Sequence, residues 1–236
     1  YVNRDEGFIG TSMRKDEFVC DCSDIDDIIV FKKDGSMKVV KIDSKVFVGK
    51  EIIHASVFKK KDSRTIYNMI YTDGKSGYSM MKRFNVSSIT RNKDYFLTKS
   101  EKSSKVIYFT ANPNGEAETI TIHLRKLQKL KILKFDYDFA DLAIKGKGSV
   151  GNILTKNKVK KIELRSEGVS TLSARKIWFD KNVRRLNVDE RGDLLGDFAA
   201  NDKILSINDD GIIELKSFDI STHFDDNMII IEKHNP

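Results

Sequence analysis

Residues 28–42 read IIVFKKDGSMKVVKI, two arms of alternating apolar residues about Asp34-Gly35, with Lys32, Lys33, Lys38 and Lys41 spread over both arms. Alternation at period two puts one set of side chains on one face of a strand. An Asp-Gly pair between two such runs predicts a tight hairpin, because glycine enters the positive-φ region that the turn needs. The unit recurs at residues 65–86, 105–124, 151–164 and 203–218, with turn centres at Gly74, Gly115, Asn157 and Gly211. Asn157 replaces glycine because asparagine tolerates the left-handed conformation. Successive centres lie 39, 41, 42 and 54 residues apart. A period near 40 with one hairpin per repeat predicts a propeller-like closed ring, all-β, of about five blades, with six as the alternative.

Further strands are expected at 8–11, at 18–22, on both sides of Gly49 in 45–58, and in the second half of 124–135. An extra hairpin is expected from 176–180 and 183–188, within the longest interval. Residues 227–232 (NMIIIE) have no partner nearby in sequence and are expected to close the ring against the N-terminal strand. Each repeat would bury its apolar face on its neighbours, so residues 1–236 are read as a single domain.

The net charge of +7 is unevenly placed. Residues 1–27 hold 3 Lys/Arg against 8 Asp/Glu, residues 187–236 hold 4 against 12, and residues 28–186 hold 35 against 15, a local excess of +20. Such a block points to a polyanionic partner. Its clusters are Lys59, Lys60, Lys61 and Arg64; Lys82 and Arg83; Arg125, Lys126, Lys129 and Lys131; Lys156, Lys158, Lys160 and Lys161; Arg175, Lys176, Arg184 and Arg185, together with the four hairpin lysines. Scattered lysines that solvate strand faces and guard sheet edges are the bland explanation, but they do not account for so uncompensated an excess.

Catalytic and metal chemistry find little support. His54, His123, His223 and His234 fall in different repeats without ligand spacing. Cys20 and Cys22 are too close for an ordinary disulfide, lack the second pair a zinc site needs, and read as packed thiols in a reducing compartment. Asp21, Asp24, Asp26 and Asp27 lack the order of a calcium loop and read as a solvated, capping turn. Residues 146–149 (GKGS) have the wrong order for a phosphate loop and read as a turn between blades. Trp178 alternates with Ile177 and Phe179 and reads as core. No apolar run reaches the roughly 18 residues of a membrane helix, and no signal segment opens the chain, so a soluble cytoplasmic protein without a membrane partner is expected. Starting at Tyr1, the sequence reads as part of something longer.

Five phrases together resemble a known family: GFIGT (7–11), FVCDCSDIDDIIVFKKDGSMKVVKI (18–42), YFTANPNGEAE (108–118), RKIWFD (175–180) and RGDLLGDF (191–198). Over essentially its whole length the chain resembles the C-terminal domain of the A subunit of bacterial type IIA topoisomerases, and is most similar to the topoisomerase IV type. The resemblance implies a β-pinwheel that exchanges strands between blades and bends duplex DNA on a basic outer rim, without sequence preference. It implies a non-catalytic domain with no cofactor of its own, joined to the rest of the A subunit and to an ATPase partner subunit. ATP and Mg would serve the full enzyme, and the location would be cytoplasmic and nucleoid-associated. Gyrase carries a Gln-Arg-Arg-Gly-Gly-Lys-Gly box after the first strand. Here that place holds Met13, Arg14, Lys15, Asp16 and Glu17, which favours decatenation or relaxation over negative supercoiling. The alternatives are a gyrase wrapping domain and a protein-interaction propeller.

Overall fold

The computed structural model describes residues 1–100, 103–127, 130–199, 202–220 and 222–235. Among them regular structure is strand throughout, apart from one 3-10 turn at Phe139–Asp141 that Asp138 caps by accepting from the Ala140 amide. The strands form six small sheets, and the chain divides into two compact units, residues 1–168 and 169–236.

The first unit contains four sheets. Val2–Asn3, Phe8–Ile9 and Val46–Phe47 make the first. The second runs Ile52–Val57, Asp27–Lys32, Ser36–Lys41, Tyr95–Phe96, with the Asp34-Gly35 hairpin at its centre and Gly35 at φ +81°. The third is built on Ile66–Thr72 and Ser79–Asn85, flanked by Lys105–Asn112 on one side and by Ile144–Gly146 and Asn152–Thr155 on the other. Lys134–Asp138, Thr119–Leu124 and Val159–Ser166 make the fourth. The second unit holds a sheet of Arg185–Asn187, Arg175–Asp180 and Asp193–Phe198, and another of Ile213–Ser217, Lys203–Asn208 and Met228–Lys233.

The opening hairpin is apolar on both faces because each faces a different core. Ile29, Phe31, Met37 and Val39 pack with Tyr67, Met69, Tyr71, Phe84 and Leu97 of the third sheet and its surroundings. Ile28, Val30, Val40 and Ile42 pack the other way, on Val2, Ile9 and Val48. A third core joins the third and fourth sheets through Ile70, Met81, Ile120, Ile122 and Phe139. The second unit has its own, centred on Ile177, Phe179, Phe198, Ile204 and Phe224. Every such side chain contributes roughly 1.5–3 kcal/mol by leaving water. Each sheet therefore depends on its sequence neighbours for a core, as stacked repeats do.

Three expected hairpins are present: those turning at Gly35, Gly74 and Gly211, and so is the extra one, in which Arg175–Asp180 pairs with Arg185–Asn187. Two are not. The runs on either side of Gly115 separate, Lys105–Asn112 joining the third sheet and Thr119–Leu124 the fourth. About Asn157 the split repeats, with Asn152–Thr155 in the third sheet and Val159–Ser166 in the fourth. Local alternation shows that a residue run is a strand but leaves its partner open, and here longer-range pairing decides.

Other expectations are corrected. Residues 18–22 are not a strand, and the nearest pairing is an isolated bridge between Val2 and Glu17. The strand expected in 130–135 begins only at Lys134. Met228–Lys233 pairs with the nearby Lys203–Asn208, while Val2–Asn3 pairs with Phe8–Ile9, so the terminal strand has a local partner. Trp178 is half-buried, between the fully buried Ile177 and Phe179.

Candidate nucleic-acid interface

The basic residues separate into three physical situations. Lys82 and Arg83 lie in mid-strand of Ser79–Asn85, and each is 2 % exposed. Alternation alone would send one of them to solvent, but this strand is covered on both faces. The Lys82 ammonium donates to the carbonyls of Leu97 (3.0 Å), Lys147 (2.8 Å) and Ser149, so its three protons meet three acceptors. Burial pushes its pKa down to about 7. The GKGS segment thus closes over Lys82 with its backbone. Arg83 donates to Asn68 Oδ1 (3.0 Å) and to the carbonyls of Gly115 (3.0 Å) and Phe139 (3.3 Å). Asn68 Nδ2 donates on to Glu118 (2.6 Å), whose other oxygen accepts from Tyr108 (3.1 Å) and Thr110 (2.5 Å). Arg83 thus ties the third sheet to segments that flank the fourth, Lys82 ties it to Leu97 and to the 147–149 segment, and both are removed from the set that can reach a phosphate.

One end of the fourth sheet gathers the exposed cations. The Arg125 amide donates to the Lys158 carbonyl (2.8 Å), the Leu124 amide donates to the Leu133 carbonyl (2.8 Å), and His123 lies opposite Lys134 on one side and Lys161 on the other. This register brings Arg125, Lys126, Lys131, Lys134, Lys158, Lys160 and Lys161 to the same sheet end, all of them exposed. Lys156, also exposed, precedes this strand, with its ammonium 5.6 Å from the Tyr78 ring centre. Glu163 is the acid among them, 2.7 Å from Lys161 and 2.6 Å from His123; hydrogen bonding from Lys161 holds its carboxyl below the usual range. Lys134 was missed in sequence because it sits where helix and strand periodicities conflict. Lys129 falls outside the described residues.

The remaining cations are dispersed or paired. Lys59, Lys60 and Lys61 are exposed on the turn after Ile52–Val57, and Lys41 is exposed at its strand end. Arg64 is half-buried beside Asp62, as are Lys32, Lys33 and Lys38 on the first hairpin; Lys33 faces Glu51 (3.7 Å) and Lys38 faces Asp94 (3.0 Å). In the second unit Lys176 and Arg185 are exposed, Lys176 opposite Asp197, while Arg175 and Arg184 are half-buried and Arg184 pairs with Asp226 (3.0 Å). Charge follows the same division: the first unit holds 33 Lys/Arg against 22 Asp/Glu, the second 9 against 13.

Residues 13–17 form a strap of balanced charge, with Arg14 and Lys15 exposed beside Asp16 and Glu17. Met13 is buried, Asp16 accepts from Asn3 (2.8 Å), and Glu17 takes a two-point ion pair from Arg4 at 2.7 Å. Asp27 is buried against Arg91 (2.9 Å), and Cys20 and Cys22 are free, half-buried thiols. Among the described residues no group of His, Cys, Asp or Glu is placed to hold a metal ion, and no helix is long and apolar enough to cross a membrane.

The family described as "Topoisomerase C-terminal domain, Bacteroidota" matches residues 1–167 and 185–236. The A subunit of DNA topoisomerase 4 from Borreliella burgdorferi is 27 % identical over 167 residues, 70 % of this chain and 25 % of that protein. The chain therefore spans about a quarter of the length of this relative. Among solved structures, the C-terminal domain of DNA topoisomerase IV is similar over 86 % of this chain and 72 % of its own, with 12 % identity and a TM-score of 0.42. The C-terminal domain of DNA gyrase A is similar over 90 % and 83 %, with 12 % identity and a TM-score of 0.32.

Proposed function

We propose that this chain, which belongs to the topoisomerase C-terminal domain family, binds duplex DNA through its phosphates and bends it for the core of a type IIA topoisomerase. The observation that carries this reading is the sheet end at Arg125, Lys126, Lys131, Lys134, Lys158 and Lys160, exposed cations brought together by three paired strands and the segments that flank them. Lys and Arg that neutralise phosphates release counterions and give affinity without reading sequence. Bending a site of 20–30 base pairs costs roughly 1–6 kcal/mol, which several such contacts offset.

The role is presentation of a DNA segment for decatenation or relaxation, as in topoisomerase IV. The strap at 13–17 supports this over full chiral wrapping because it carries no net positive charge: Asp16 and Glu17, held by Asn3 and Arg4, offset the exposed Arg14 and Lys15. The domain is non-catalytic; the A subunit and its ATPase partner would supply the chemistry, with ATP and Mg, in the cytoplasm at the nucleoid. Ligase closure of a short linear duplex into a circle tests the bending: the bound chain is expected to speed closure, and an unchanged closure rate would reject bending. Nicked circular DNA sealed in the presence of the chain tests the extent of wrapping: a shift in linking number well short of that given by a gyrase wrapping domain is expected.

A further inference from the structure

The tip of the first hairpin leaves a concavity of about 380 Å³ whose chemistry differs from the rest of the surface. Two phenyl rings line it, Phe47 and Phe96, 60 % and 43 % exposed. They come from short strands brought there by pairing, Val46–Phe47 against Phe8–Ile9, and Phe96 opposite Ser36. Phe8 supports Phe47 from one side at 5.2 Å between ring centres, and Lys45 stands 4.3 Å from the centre of the Phe8 ring.

The polar lining is mostly satisfied. Asp34 accepts from the Ser36 amide (2.9 Å) and hydroxyl (2.6 Å), and Asp94 pairs with Lys38. Lys32 makes no ion pair among the described residues. Its ammonium lies 2.9 Å from where a Cβ on Gly49 would stand, so that glycine leaves the passage the lysine occupies. The lining balances Lys32 and Lys38 against Asp34 and Asp94, so the two exposed rings set its character, and Lys32, without an ion pair among the described residues, is the cation left to meet a phosphate beside a flat heterocycle. A base inside an intact duplex has no free face to offer.

We propose that this concavity is a stacking site for an unpaired nucleobase of DNA, with Phe47 and Phe96 as the platforms and Lys32 beside the adjoining phosphate. The site would take single-stranded DNA, or a base unstacked at a kink. It rests on the reading that the chain binds DNA, and it adds a contact that duplex binding does not use. Stacking on an aromatic side chain is tolerant of sequence, so the site would favour unpaired over paired DNA without selecting a base.

The test is fluorescence anisotropy of the full chain with labelled oligo-dT and, separately, with a labelled duplex. Phe47→Ala and Phe96→Ala should each weaken oligo-dT binding about tenfold, within the range of one base–aromatic stack. Phe47→Trp should retain it, and duplex affinity should stay within about twofold in all three. Circular dichroism and thermal melting of each variant establish that it is folded. Oligo-dT binding unchanged in the Phe47→Ala, Phe96→Ala double variant, or absent from the wild-type chain, would overturn the proposal. Failure of the duplex arm, with salt-independent or absent binding, would instead overturn the function proposed above.

Discussion

Arg83 shows how residue type and environment part company. As an arginine in a basic cluster it suggests phosphate binding, yet it is sealed in a network with Asn68 and Glu118, with burial lowering its pKa and Glu118 opposing that shift. Removing one member of such a network strands the other charge, at a cost of about 3–5 kcal/mol. Arg83→Met should therefore lower stability in urea unfolding by that order and leave the salt dependence of DNA binding in the folded variant unchanged. His54 supplies a pH-dependent counterpart. It sits among Phe31, Tyr67 and Phe109, and burial lowers its pKa to about 4. Because the unfolded chain takes up the proton near 6.5 and the folded chain does not until about 4, stability present above that window is lost as pH falls through it. The loss is on the order of 3 kcal/mol. Unfolding of His54→Phe should show that much less pH dependence across the same window.

At the scale of elements, the chain crosses from sheet to sheet about Gly115 and Asn157, while Gly151, between two strands of the third sheet, is under steric control. Gly151 has φ +83°, and a Cβ there would stand 2.3 Å from the Met81 carbonyl oxygen, next to the strand that bears Lys82. Gly151→Ala should destabilise the chain by about 1–3 kcal/mol, the scale of an enforced left-handed residue plus a backbone clash. It should also speed amide exchange in 147–151. These crossings mark how much of the fold was legible. Residues 28–42 gave the all-β class and a real hairpin, because Asp34-Gly35 is a local signal. The runs about Gly115 and Asn157 gave true strands with the wrong partners, because pairing between sheets is set by which apolar faces meet. Residues 18–22 alternate without forming a strand, since Val19 and Cys22 pack on the second core from an unpaired segment. For the site, charge alone names the cations of the fourth sheet apart from Lys134. Lys82 and Arg83 were misplaced with them, since a sequence does not show that a strand is covered on both faces. The phrase YFTANPNGEAE, recognised by resemblance, has a physical role in Tyr108, Thr110 and Glu118, which complete the network on Arg83.

For the whole molecule, the positive charge is concentrated in residues 1–168, and the second unit is net acidic with most of its central arginines half-buried or paired. DNA affinity is thus expected to come from the first unit and above all from the end of the fourth sheet. Phosphate contacts lower the log of the binding constant linearly in log salt, by about 0.9 for each contact. The sharpest test is that slope for the full chain on two unrelated duplexes, repeated with Arg125, Lys126, Lys158 and Lys160 changed to Gln. Equal, steep slopes on both sequences are expected, with a slope shallower by about three to four units in the fourfold variant. A flat salt dependence, or a variant whose slope equals that of the wild-type chain, would rule out phosphate binding at this sheet end.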